Sequence, residues 1–318
     1  MHFDLGFDEI MLPNTDNRNQ TALQIWNNKS SVEDHITVKE SERYLSIQAS
    51  AFLYEYDKFS GMFTKIYFRG QELIDKPVNF NLFRAPTDND RKLKHNWFAA
   101  YYDHIVTRAY NTCHTVVDGE LRIHSDASIA GISVQKIMDV ELDWTVSIDG
   151  KITVEILAKR NLEFPELPRF GLRLFLPDSM ESISYYGLGP MENYTDKHHA
   201  AYHNLFYTTV SNLHEDYIRP QENGAHGDCD YVILENAEVR MTIVGIDKFS
   251  FNASHYTQEE LTAKAHNFEL EKCDSTVLCL DYRQNGIGSA SCGPDLSEKY
   301  RLLDETINLS FCFIPEIK

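Results

Sequence analysis

The chain has 318 residues and a formal net charge of -18. A field of that sign repels a phosphate backbone and an anionic bilayer, so nucleic acid and membrane surfaces are excluded as expected partners. Hydrophobic residues make up 42% and aromatic residues 12%, enough to build a core without disulfide staples. The six cysteines, Cys113, Cys229, Cys273, Cys279, Cys292 and Cys312, form no C-x-x-C pair and no dense framework. Met1 to Leu12 carries Asp4, Asp8 and Glu9 and lacks the basic and apolar regions of a secretory leader. A cytoplasmic protein with reduced thiols is expected.

Residues 1–34 read as an arm or linker, polar and irregular from Pro13 onward, with Ile25 and Trp26 as apolar anchors for this domain or for another chain. From Ile36 the pattern is β. Leu45, Ile47 and Ala49 alternate with polar residues, and Met62, Thr64, Ile66 and Phe68 do so after a turn at Ser60-Gly61. Asn96 to Ile105 places Trp97, Ala100, Tyr101 and His104 on one helical face. Val146 and Ile148, then Asp149-Gly150, then Ile152, Val154 and Ile156 predict a hairpin. Further strands are expected at Phe170–Leu176, Ile183–Tyr186, Tyr231–Leu234, Val239–Val244, Lys248–Asn252, Thr276–Tyr282 and Thr306–Phe313. Thr257 to Glu260 is a capping box that opens a short helix before Leu261 and Ala265. Many short strands with helices only as interruptions predict one mainly β domain over residues 35–318, a large antiparallel sandwich with one or two short helices. Strands alternating with long helices are missing, which excludes an (α/β)₈ barrel.

Three turn-rich segments stand out: Phe83-Arg84-Ala85-Pro86-Thr87-Asp88-Asn89-Asp90, Tyr186 to Tyr194 with Glu192 and Asn193, and Arg219-Pro220-Gln221-Glu222-Asn223-Gly224. A fourth, Gly286 to Pro294, is built of small residues that allow close backbone approach. Asp and Asn bond neighbouring amides in such turns, so each segment reads first as an architectural corner. Glu192 and Glu222 also allow a second reading, as the carboxyl pair that glycoside hydrolysis uses. Among 48 acidic residues a chance pair is easily found, and the architectural reading is the stronger one. His198, His199, His203 and His226, with Asp228 and Cys229, match no zinc spacing and read as loop residues; no metal site is expected on this chain.

The four segments, in this order, resemble the C-terminal domain of β-galactosidases of glycoside hydrolase family 2, over roughly residues 35–318. The resemblance implies a galactose-mutarotase-like supersandwich. Because the chain starts just before this domain, it resembles the small subunit of two-chain bacterial enzymes. A β-galactosidase large subunit is then the expected partner. It would supply the catalytic glutamates and Mg²⁺, with or without Na⁺, for retaining cleavage of β-galactosides such as lactose and for transgalactosylation. In this family the acid/base glutamate follows an asparagine; this chain has no Asn-Glu dipeptide, and Glu192 and Glu222 each precede Asn. No catalytic residue is therefore expected here. The resemblance places Ser291, Cys292 and Gly293 on the acceptor side of the shared site, with Cys292 where some relatives have a stacking Trp. Asp90, Arg91, Lys92, Leu93, Lys94 and His95 match a mobile loop. Arg84, Asp88, Asn89, Glu192, Asn193, Tyr194, Glu222, Asn223 and Gly224 are expected in structural or interface roles. A free-standing mutarotase, using a histidine of the 198–203 cluster with Glu222, and a sugar-binding module are the alternatives.

Overall fold

The computed structural model describes residues 24–27, 34–288 and 293–318. It contains a five-stranded sheet made of β1 (Thr37–Glu40), β2 (Tyr44–Gln48), β3 (Phe52–Asp57), β4 (Met62–Phe68) and β5 (Gln71–Glu72) in sequence order. A twelve-stranded sheet takes up the rest: β6 (Lys76–Asn81), β7 (Ile105–Val117), β8 (Glu120–Gly131), β9 (Lys136–Val146), β10 (Ile152–Arg160), β11 (Arg169–Pro177), β12 (Ser182–Gly189), β13 (Tyr202–Thr209), β14 (His226–Glu235), β15 (Val239–Ser254), β16 (Ser275–Gln284) and β17 (Thr306–Ile317). Its main path runs β13-β12-β14-β15-β17-β10-β9-β8-β7, and β16, β11 and β6 branch from β15. The named strand pairs are antiparallel, so the expected mainly β, antiparallel architecture is present.

The small sheet packs on the β8–β10 part of the large one. Leu45, Ile47, Tyr54, Tyr56, Phe63 and Ile66 are buried there, as their alternation requires. Phe63 meets Trp144 edge-on at 5.0 Å. The buried polar tips find partners: Tyr54 Oη donates to Gly150 O at 2.6 Å, Tyr56 Oη pairs with Ser125 Oγ at 2.9 Å, and Trp144 Nε1 donates to Gly61 O at 3.1 Å.

The β9–β10 hairpin forms where Asp149-Gly150 predicts it. Its loop is not the two-residue form: Gly150 N donates to Ser147 O and Ser147 N to Lys151 O, with Gly150 at φ +90°. That is a tight turn closed by a left-handed residue, which glycine adopts freely.

Two other expectations are corrected. Helix Lys94–Ala99 begins before Asn96 and stops at Ala100; Tyr101 has φ +57°, and Ile105 already opens β7, so Tyr101 and His104 do not share the buried helical face of Trp97. The strands expected at Val239–Val244 and Lys248–Asn252 are one continuous strand, β15. It pairs with β17 over Val239–Gly245 and with β16 over Ser250–Ser254. At its bend a Cβ on Gly245 would lie 2.5 Å from Asp247 O, so only glycine fits. Strands β6, β7, β8 and β13 carry no prior expectation. In β7 and β13 the reason is physical: residues such as Val106, Tyr110 and Tyr207 are exposed, so neither strand shows a clean apolar face.

Helix Gln258–Ala263 starts as the capping box requires, with Glu260 N donating to Thr257 Oγ1 at 3.1 Å. Thr257→Ala is expected to lower stability by about 1 kcal/mol, seen as a lower urea midpoint at unchanged slope. The helical turn at residues 24–27 lies against this chain: Ile25 and Trp26 pack on Val244 and Cys312, and Lys151 Nζ donates to Trp26 O at 3.0 Å. Of the two uses open to the Ile25–Trp26 pair, docking on its own domain is the one observed.

Candidate functional site

The four motif segments meet at one end of the large sheet, around two buried arginines. Beyond β6 the chain carries Arg84 into the interior, then closes a single helical turn over Asp88–Arg91. Thr87 N donates to Asp90 Oδ2 at 2.9 Å, which turns the chain back. Arg84 grips the same carboxylate with two bonds, Nε to Oδ2 at 3.1 Å and Nη2 to Oδ1 at 2.8 Å. Its other donors reach the fourth segment: Nη1 bonds Asn285 O at 2.5 Å and Nη2 bonds Gly286 O at 3.1 Å. Asn89 Nδ2 adds a bond to Ile287 O at 2.7 Å, and Asp88 N donates to Gln221 Oε1 at 3.1 Å.

The second arginine, Arg169, opens β11 and is fully buried. It bonds Asp281 of β16 through Nε at 3.1 Å and Nη2 at 2.5 Å, and Glu222 through Nη1 at 3.2 Å. Gly171 makes room for this: a Cβ there would lie 2.0 Å from Leu280 O and 2.7 Å from Asp281 Oδ1. Burial works against the charge of Arg169, but Asp281 and Glu222 outweigh it and hold the guanidinium protonated well above its ordinary range. Burial pushes both carboxyls up, and Arg169 opposes that.

Glu192 is enclosed in the same way. Oε1 accepts Lys197 Nζ at 2.5 Å and the Tyr217 hydroxyl, and Oε2 accepts Gly224 N at 2.8 Å. Asn193 Nδ2 bonds Leu188 O at 2.9 Å, and its Oδ1 accepts Gly227 N at 2.8 Å. Asn223 Oδ1 accepts Glu215 N at 3.0 Å. Gly224 sits at φ +71°, with Leu213 O 2.4 Å from where a Cβ would be. Tyr194 is buried, and its hydroxyl makes no hydrogen bond.

The carboxylates of Glu192 and Glu222 thus hold loops together and do not line an open cleft as a facing pair. A cleft of about 700 Å³ lies alongside, walled by Tyr194, His198, His203, Gln284 and Tyr300 among others, with neither glutamate on its wall; Glu192 borders a smaller cavity of about 400 Å³ beside His198 and His199, while Glu222 is buried on Arg169. His203 Nε2 lies 2.6 Å from Asp228 Oδ2. Among the described residues no three His, Cys, Asp or Glu groups are arranged to hold a metal ion.

The Asp90–His95 segment runs from the end of one helical turn, through a turn at Lys92 and Leu93, into the next helix. Asp90 is locked by Arg84, Arg91 ends the first turn, and Lys94 and His95 start helix Lys94–Ala99, with Arg91, Lys92 and His95 exposed. Ser291 and Cys292 lie outside the described residues; Gly293 is exposed. Arg169, Asp281 and Asp196 are site residues that the motif reading does not include. A charge inside an apolar strand, Asp281 in Thr276–Tyr282 and Arg169 before Phe170–Leu176, is the signal for a buried pair.

These features define a large antiparallel β-sandwich whose motif loops are tied together by buried ion pairs. The chain belongs to the family described as Beta galactosidase small chain, which residues 48–313 match. A β-galactosidase of Actinobacillus pleuropneumoniae is 39% identical over 310 residues, covering 98% of this chain and 30% of that protein. A β-galactosidase of Staphylococcus xylosus is 34% identical over 313 residues, covering 98% of this chain and 31% of that protein. The chain therefore spans under a third of the length of these relatives. Among solved structures, a galactose 1-epimerase from Lactobacillus acidophilus NCFM superposes with a TM-score of 0.45 at 8% identity, covering 90% of this chain and 99% of that one.

Proposed function

We propose that this chain is the non-catalytic small subunit of a two-chain β-galactosidase of the cytoplasm. A large subunit supplies both catalytic carboxylates and the Mg²⁺ site, with or without Na⁺. The pair cleaves terminal β-galactosides such as lactose with retention, and passes galactose to water or to another sugar. This chain walls the acceptor side, where residues 291–293 stand in the resemblance, and orders the neighbouring loops of its partner.

One observation carries the reading. The chain matches the small-chain family over most of its length, yet its motif glutamates are committed to internal bonds with Arg169, Lys197, Tyr217 and Gly224. Retaining hydrolysis needs two carboxyl groups roughly 5 Å apart facing a substrate, which these two glutamates do not supply; in this reading the large subunit supplies them. The test is reconstitution. Neither chain alone is expected to release nitrophenol from a nitrophenyl galactoside, and mixing them is expected to restore turnover. Unaided turnover by this chain, or full activity of the large chain by itself, would refute the proposal.

A further inference from the structure

We infer that the cleft of about 700 Å³ binds a small organic phosphate whose remainder carries hydroxyl groups; the inference goes beyond the two-chain reading and does not depend on it. The chain as a whole is acidic, with 48 Asp and Glu against 30 Lys and Arg, and the wall of this cleft reverses that balance. Among the described residues it carries Lys248, Arg283 and Lys299 together with His198, His199 and His203, against a single carboxylate, Asp228. The basic groups come from separate stretches of chain. Lys248 is on β15, Arg283 on β16, His203 on β13, and Lys299 in the helical turn Glu298–Tyr300, while His198 and His199 precede β13. Cations drawn from several segments suit a phosphate, whose oxygens accept from all sides. A planar carboxylate is better served by parallel donors from one side.

Two of the cations are held by acids that are not on the wall. Lys248 Nζ pairs with Asp230 Oδ1 at 2.7 Å, and Arg283 Nη2 donates to Asp304 Oδ2 at 3.0 Å and to Arg301 O at 2.7 Å. Both side chains are thereby placed before a ligand arrives, and Arg283 Nε is a buried donor without an acceptor. Lys299 differs: its Nζ lies 4.4 Å from the centre of the Tyr300 ring and pairs with no carboxylate among the described residues. His198 and His199 lie against each other, ring centres 4.7 Å apart. A phosphate supplies the counter-charge that Lys299 lacks. The acidic surface still repels a polyanion, but salt screens charges beyond about 8–10 Å, so one phosphate in the cleft responds mainly to its wall. A bare phosphate would fill only part of this volume. Asp228 stands in a bulge of β14 with φ +54°; its Oδ2 lies on His203 Nε2, and Oδ1 is left to accept from a hydroxyl. Tyr282 and Tyr300 add ring surface for the carbons between.

Equilibrium dialysis of the full chain against labelled glucose 6-phosphate is the test, with inorganic phosphate and glucose as the two halves of the probe. Glucose 6-phosphate is expected to bind with a Kd of about 1 mM or less, roughly tenfold more tightly than inorganic phosphate, and glucose to show no binding up to about 10 mM. K299Q is expected to weaken the ester about tenfold, the loss of one charge-assisted contact. K136Q removes the same charge from β9, off the cleft wall, and is expected to change nothing. D228N, in which asparagine tolerates the left-handed backbone, is expected to weaken glucose 6-phosphate and to leave inorganic phosphate bound no worse. The double variant H198Q/H199Q is expected to act in the same direction as K299Q and decides the matter if K299Q does not fold. No binding of glucose 6-phosphate up to about 10 mM, glucose bound as well as its phosphate, or equal effects of K299Q and K136Q would each overturn the assignment.

Discussion

Replacing Arg169 with leucine is expected to destabilise the chain by about 3–5 kcal/mol, the cost of leaving buried carboxylates without their counter-charge. Asp281 and Glu222 have only 0% and 4% of their surfaces exposed, so neither can recover hydration without opening the end of the sheet. Substituting Asp281→Asn and Glu222→Gln in the same chain should recover part of the loss, since neutral amides cost less to bury than unpaired charges. Equilibrium urea unfolding measures both. The deficit of the single variant should shrink as pH falls, because burial already pushes both carboxyls upward and they can take protons in place of the missing cation. A midpoint that does not move would show that the cluster contributes nothing net.

Acidification is expected to remove a further increment of stability through His226. Burial pulls its imidazole down to about 4, against the Leu188 carbonyl and Glu192, which favour the charged form. The ring lies against Tyr185 and Phe251, with Nδ1 3.0 Å from Tyr185 Oη and 3.2 Å from Leu188 O. The folded state keeps this histidine neutral to lower pH than the unfolded chain does. Its contribution is therefore complete above about pH 6.5, declines below that, and is lost once pH falls through 4, about 3 kcal/mol in all. Glu181 and Glu259 are held below their ordinary range, burial being outweighed by Ser211 and His255 for the first and by Arg173 for the second, so their contributions start to be lost only below about pH 4.5. Comparing the chain with its His226→Gln variant between pH 7 and 5 isolates the histidine. The variant should show the flatter dependence of unfolding free energy, and parallel curves would refute the assignment.

The fold was legible wherever alternation met burial. Asp149-Gly150 marked its hairpin and Thr257 its helix, because both signals are local: a left-handed glycine and a hydroxyl on a free amide. β7 and β13 are not legible because most of their side chains are exposed or half-buried, which leaves no clean apolar alternation to read. The sequence divides β15 into Val239–Val244 and Lys248–Asn252, whereas backbone pairing with different partners carries one strand through Gly245. The site was legible as a set of motifs and not as a geometry. Phe83 to Asp90 and Gly286 to Gly288 are about two hundred residues apart, and nothing local in either says that Arg84 and Asn89 of one bond the carbonyls of the other. Asp196 is one acid among 48 in the sequence, and only the fold brings its carboxylate onto the amides of Ile287 and Gly288.

The path of β15 also limits where this polypeptide can be divided. A single ribbon from Val239 to Ser254 gives hydrogen bonds to β14, β16 and β17, so the main path and the branch carrying Arg169 and Asp281 share one spine. A break within it would strip pairing from three neighbours at once and leave neither fragment with a closed set of backbone partners. Any fission of the gene, in nature or by design, has to fall outside those sixteen residues to yield pieces that reassemble.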